Sequence, residues 1–127
     1  MPMLDPTTEY FEGLGRRGHE RRLEAVSGIL RFDLRRDHGT DHWLVAIEKG
    51  NVTVSRECNP ADLILRADGG VFDLIASGVT HPVAAWLRNE LTLEGDQRLS
   101  ALFVRTLPER PGVRHRRRPV GEGRAAR

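Results

Sequence analysis

The chain has 127 residues, 39% hydrophobic, 6% aromatic and 30% charged, which allows one domain with a single core and leaves no room for a second, catalytic domain. No apolar run approaches the ~18 residues that cross a bilayer and no basic segment leads into an apolar one near the start, so no span or secretory signal is expected and the protein is placed in the cytoplasm. The lone Cys58 excludes an internal disulfide, in keeping with a reducing compartment.

Asp5-Pro6-Thr7-Thr8-Glu9 has the form of a helix start, with a capping carboxylate, a proline in the first turn and an acid near the positive end of the dipole. Tyr10, Phe11 and Leu14 would form its buried side. Gly13, Gly15 and Gly18 spell G-x-G-x-x-G, with Asp33 about 20 residues on, as a dinucleotide-binding fingerprint requires. Such glycines follow a buried strand, however, and here they follow a polar, capped helix, so they read as a loosened turn before a second helix over 19–26, with Leu23 and Val26 inward.

From Gly28 the period becomes two. Leu30, Phe32 and Leu34 face one way, and Arg31, Asp33 and Arg35 the other. A hairpin turn over 36–41 leads to Trp43, Val45 and Ile47, and a tight Gly50-Asn51 turn leads to Val52 and Val54, giving three antiparallel strands. After Asn59-Pro60, Asp62 opens a fourth strand with Leu63, Leu65 and Ala67 on one face. Leu91 and Leu93 give a fifth, able to pair out of sequence order.

Around that fifth strand lie three short helical patterns, divided by Gly78, Pro82 and Gly95: Phe72, Ile75 and Ala76; then Val83, Trp86 and Leu87; then Leu99, Leu102 and Phe103. Segments this short are below the ~12 residues at which isolated helices become marginal, so their stripes must lie on the apolar face of the sheet. The expected fold is α+β, a two-layer sandwich with a five-stranded, mostly antiparallel sheet covered on one face by short helices. Residues 1–109 form that domain, with 13 Arg and Lys against 17 Asp and Glu. Residues 110–127 carry 7 against 1, with no periodicity, and read as a disordered basic tail. The Arg114, His115, Arg116, Arg117, Arg118 cluster reads first as a solvated end, and beyond that as able to meet phosphates of nucleic acid or lipid head groups.

The ordered set Trp43-x-Val45-x-Ile47-x-x-Gly50, Asp62-x-x-Leu65, Phe72-x-x-Ile75-x-x-Gly78-x-x-x-Pro82 and Leu91-x-Leu93-x-Gly95-Asp96-x-x-Leu99 is similar to the sterol carrier protein type 2, or sterol-transfer, domain family across residues 28–107. That family usually has Gly where this chain has Asn89, and Asn tolerates the same left-handed backbone. The resemblance implies an apolar tunnel between helices and sheet for a sterol, fatty acid or fatty acyl-CoA. It implies binding or transfer without covalent chemistry, and no cofactor. Relatives of this kind stand alone or are attached to enzymes; no attached enzyme is expected here.

Side chains able to line such a tunnel are Phe32, Leu34, Trp43, Val45 and Ile47 from the sheet and Phe72, Ile75, Trp86, Leu87, Leu102 and Phe103 from the helices. The competing reading is a filled core in an accessory module that serves a separately encoded enzyme. Arg88 and Arg105 are candidates for the head group of a carboxylate or phosphate ligand. Expected partners are a small apolar ligand, a transient membrane surface, and a second copy or an enzyme; nucleic acid is the weaker reading. His38 and His42, flanked by Asp37 and Asp41, sit in a hairpin where their spacing does not align them for a metal. Cys58 beside Glu57 has no histidine near it in sequence to activate it, and His81 before Pro82 reads as a helix cap.

Overall fold

The computed structural model describes residues 5–107, apart from the side chains of Leu102 and Phe103. The first helix, α1, spans Pro6–Arg17: the Asp5 carboxylate accepts from the Thr8 N–H, and the helix closes at Gly18, whose φ of 68° lets its N–H reach the Leu14 carbonyl. It runs through Gly13 and Gly15 and is not loosened there, which corrects the sequence reading. Glycine costs a helix up to about 1 kcal/mol against alanine. Both glycines are carried by the capped, buried helix around them, and a Cβ at Gly15 would make ordinary contact with the Val54 Cβ at 3.4 Å. The second expected helix shrinks to a 3₁₀ turn, Arg21–Leu23. Its backbone groups are taken by a neighbouring hairpin turn, with Glu20 N–H donating to the Gly50 carbonyl and Val52 N–H to that of Gly18. Leu23 and Val26 are nonetheless buried as expected.

The strands are β1 (Ser27–Arg36), β2 (Gly39–Glu48), β3 (Asn51–Ser55), β4 (Leu63–Asp68) and β5 (Leu91–Gly95). They form one open sheet in the order β3-β2-β1-β4-β5. β1 and β4 are parallel and the other pairs antiparallel. The pairing out of sequence order therefore belongs to β4 against β1, whereas β5 joins its predecessor. Phe32 lies opposite Trp43 and Leu30 opposite Val45, so the alternating apolar residues of both strands share one face. Lys49 and Gly50 form the β2–β3 turn, both with positive φ (52° and 90°), one residue earlier than the sequence suggests.

Asp62 ties the parallel pair together. Its N–H donates to the Ile29 carbonyl, its carboxylate accepts from the Ile29 N–H at 2.8 Å, and its carbonyl accepts from Asp96. Gly95 must be glycine to permit this: its φ is 118°, and a Cβ there would stand 2.2 Å from the Asp62 carbonyl oxygen.

Three helices complete the layer: α2 (Gly69–Ala76), α3 (Pro82–Leu87) and α4 (Gln97–Phe103), the last continued by a 3₁₀ turn, Val104–Thr106. α1 lies over the β2–β3 half of the sheet. Its Phe11 stacks on Trp43 at 4.7 Å and meets Phe32 and Phe72 at 4.9 and 5.7 Å. Asp73 of α2 clamps α1 and β1 together by accepting from both Arg36 Nη atoms and from the buried Thr7 hydroxyl. The Arg36 guanidinium holds that carboxyl below its ordinary value against the opposing effect of burial, with the help of Thr7.

Candidate functional site: an apolar cavity between sheet and helices

The β1–β4–β5 half of the sheet is not sealed by α1. Over it lies a cavity of about 380 Å³. Leu30, Phe32, Leu63, Leu65, Leu91 and Leu93 make the floor, each on an inward strand position; Phe72 and Ile75 of α2 close one end. Pro82, Val83 and Trp86 of α3 form one wall, and Gln97, Ser100, Ala101, Val104 and Leu107 the other. The exposed lining residues are Val83 and Trp86 on one side and Gln97 and Ala101 on the other, so the mouth opens between α3 and α4.

The hollow persists because α4 turns no large apolar side chain into it from its lining positions. Residues 97, 100, 101 and 104 recur at helical spacing, yet as Gln, Ser, Ala and Val they cannot fill the space. On α3 the fully buried position, Ala85, does not line the cavity; Trp86, partly exposed, borders it, and Leu87 stands outside. The ends of α3 are fixed locally. The His81 Nδ1 accepts from the Val83 N–H at the start of α3, and Asn89, with φ of 62°, turns the chain out of it into β5, as the sequence leads one to expect. Leu99 of α4 is buried instead against Gly28, where an added Cβ would lie 2.9 Å from it.

Of the residues singled out as lining, Phe32, Phe72, Ile75 and Trp86 border the cavity. Leu34, Trp43, Val45 and Ile47 do not: they are buried among the core side chains, with Trp43 under Phe11 and with the Arg56 guanidinium 4.1 Å over its ring. Leu87 points to solvent, 70% exposed. The side chains of Leu102 and Phe103 lie outside the described residues. The floor residues on β4 and β5 were legible as inward-facing, but only the strand order shows that they lie beneath the gap. The Ser100–Ala101–Val104 wall carries no strong hydrophobic signal at all.

No charged side chain lines the cavity among the described residues. Arg88 is exposed at the C-terminal end of α3 and donates to Glu90 Oε1 at 2.9 Å. Arg105 sits between the lining residues Val104 and Leu107, with its own side chain exposed and its carbonyl accepting from Arg22.

Polar chemistry gathers on the opposite face of the sheet. Asp33 takes a two-pronged bond from Arg31 and lies 2.8 Å from His42 Nδ1. Burial pushes its carboxyl up, but the Arg31 and His42 bonds outweigh that and hold it below the usual carboxylate value. His38 pairs with Asp41 instead, so the two hairpin histidines engage different carboxylates. Among the described residues no group of three or more His, Cys, Asp and Glu could hold a metal ion. Gly13 and Gly15 lie inside α1, so the glycine fingerprint forms no phosphate loop.

A model of the SCP-2 sterol transfer family matches residues 11–107. The chain belongs to that family. Membership implies lipid binding or transfer. The chain is 26% identical over 104 residues to hydroxysteroid dehydrogenase-like protein 2 of Xenopus laevis, covering 80% of this chain and 25% of that protein. It therefore spans about a quarter of that relative's length. Among solved structures, sterol carrier protein domain 2 of Helicoverpa armigera superposes with a TM-score of 0.64 at 21% identity, over 83% of this chain and 87% of that one. Palmitated SCP2L2 of Aedes aegypti does so with a TM-score of 0.60 at 17% identity, over 83% and 93%. At that identity these likenesses establish the shared five-stranded α+β architecture. Among the described residues no helix is long and apolar enough to cross a membrane.

Proposed function

We propose that this SCP-2 domain binds one hydrocarbon ligand, a fatty acid, fatty acyl-CoA or sterol, in the cavity between β1, β4, β5 and α2–α4, and carries or presents it without covalent chemistry. The observation that supports this reading is the cavity itself, apolar on nearly every side and open at one mouth. At ~30 Å³ of liquid volume per water-sized group, 380 Å³ accommodates roughly a dozen methylene-sized groups. At ~0.8 kcal/mol for each buried methylene the gross gain is near 10 kcal/mol, enough to leave micromolar to sub-millimolar affinity after association and chain ordering. Delipidated protein titrated with a fluorescent fatty acid and with a fluorescent sterol should show saturable binding with a change in Trp86 emission. No saturable binding of any apolar class overturns the proposal.

A second reading, a module serving an enzyme, is favoured by one observation: the Xenopus relative is about four times as long as the matched segment. A stable enzyme partner in pull-down, with gently purified protein free of lipid by mass spectrometry, would support it over the carrier reading.

A further inference from the structure

We infer, on the reading of the cavity as a lipid site, that Gln97 and Ser100 together hold a hydroxyl group at its mouth, so that the preferred ligand is an uncharged aliphatic alcohol of about ten to twelve carbons.

Among the described lining residues, polar side-chain atoms come from Gln97 and Ser100 on one wall and the Trp86 indole on the other, and none is charged. Gln97 and Ser100 stand three apart on α4, so their side chains are neighbours on one helical face. The Ser100 hydroxyl donates to the Gln97 backbone carbonyl at 2.7 Å. Its one hydrogen is thereby committed, and what it presents to a ligand is a lone pair. The Gln97 amide has no hydrogen-bond partner among the described residues and brings two N–H donors to the cavity wall. The pair therefore offers a donor and an acceptor side by side.

A hydroxyl matches that pattern in full, donating to Ser100 Oγ and accepting from the Gln97 N–H. An ester or thioester carbonyl only accepts, so it engages Gln97 and leaves Ser100 unanswered. A carboxylate also only accepts. It meets the Ser100 lone pair with like polarity and forfeits hydration that an uncharged lining does not restore. Arg105, exposed and outside the lining, offers such a ligand only a screened charge.

Size sets the length of the chain. Gln97 is exposed at the mouth, so a ligand whose oxygen lies there sends its hydrocarbon inward, toward the end closed by Phe72 and Ile75. The 380 Å³ behind it takes roughly a dozen methylene-sized groups. A sterol, with more than twice as many carbons, cannot enter whole, and a much longer alkyl chain carries its oxygen past Gln97 into water.

The test titrates the full chain calorimetrically at neutral pH with 1-decanol, methyl decanoate and decanoate, each below its aggregation limit. Decanol should bind about tenfold more tightly than decanoate and about threefold more tightly than the ester. Ser100→Ala should cost decanol about fivefold and the ester nothing, whereas Gln97→Met, which keeps the length and removes the amide, should cost both about fivefold. Both variants should melt as the parent does, since the Gln97 amide holds no other described residue and alanine suits a helix. Decanoate binding as tightly as decanol, or Ser100→Ala weakening the ester as much as the alcohol, overturns the assignment of the polar pair while leaving the cavity reading in place. A fluorescent sterol that binds more tightly than decanol overturns the limit on size. Saturable binding of none of these ligands overturns the cavity reading itself.

Discussion

Leu65→Trp distinguishes a hollow interior from a solid one. Leu65 stands on β4, hydrogen-bonded between β1 and β5, and its side chain forms part of the cavity floor. Strand side chains project roughly perpendicular to the sheet, so a larger one there cannot swing out to solvent as it could on a helix. Tryptophan adds six heavy atoms to the side chain, the space of about half the methylene groups the cavity holds. At ~0.8 kcal/mol per methylene the ligand would forgo nearly 5 kcal/mol; allowing half to be recovered by a displaced chain leaves 2–3 kcal/mol, or about a hundredfold in affinity. A filled core would respond differently, since overpacking costs 1–3 kcal/mol and lowers the thermal midpoint. In the hollow protein the new ring covers apolar surface, and the midpoint should hold or rise. Isothermal titration with a long-chain fatty acid, beside calorimetric melting of the ligand-free protein, reads both quantities. Unchanged affinity, or a midpoint several degrees lower, would refute the cavity as the binding site.

Four further outcomes follow from the structure. Asp33 and Asp73 are held below the ordinary carboxylate value, so their stabilisation is complete above the unfolded value near 4 and is lost as pH falls through the folded one; the thermal midpoint should be level above about pH 5 and drop below pH 4. Asp73→Asn should cost about 1–2 kcal/mol by breaking the clamp on Arg36, and should flatten that acid limb. Asp62→Ala, which removes the acceptor for Ile29 N–H, should cost about 1 kcal/mol and is read by urea denaturation. Arg105→Gln should weaken a fatty acid about fivefold and the corresponding fatty alcohol not at all, as suits an exposed charge worth about 1 kcal/mol; equal losses for both ligands would remove Arg105 as a head-group partner.

The elements that sequence periodicity reaches are those whose signal is local. The alternation of Leu30, Phe32 and Leu34, the His81 cap and the left-handed Asn89 each depend on neighbours within a turn or a strand, and each is found where the residues indicate. Gly13 and Gly15 are different, because α1, anchored by buried Leu14 and by Phe11 stacked on Trp43 of β2, stays helical through them despite their low helix propensity. The would-be helix over 19–26 is likewise decided by distant chain, the β2–β3 turn that takes its backbone groups. The cavity wall is hardest to read. An apolar stripe shows what a helix buries, and here that stripe includes Leu99, packed on Gly28, while the cavity-facing side carries Gln97, Ser100, Ala101 and Val104, which give no strong apolar signal. Trp43, Val45 and Ile47 match the family pattern and share the face of Phe32, yet they lie beneath α1, so facing inward did not place them at the cavity.

The division of the sheet into two halves also explains how a chain this small can remain folded around a hollow. Enclosed empty volume costs ~24 cal/mol per Å³, and even a fraction of 380 Å³ charged at that rate is comparable with the 5–15 kcal/mol by which a domain of this size is stable. Stability must therefore come from elsewhere. The Phe11, Trp43, Phe32 and Phe72 cluster and the Asp73 clamp supply it, and all but Phe32 and Phe72 lie away from the cavity. Those two rings are shared: one side packs on Phe11 and the other borders the gap. Ligand binding should thus act on the native state as an added core rather than as a surface contact, raising stability by about 2.7 kcal/mol at a hundredfold excess over Kd. Because the gain comes from occupying the hollow, Leu65→Trp should reduce that ligand-dependent rise in melting temperature while preserving the stability of the ligand-free chain.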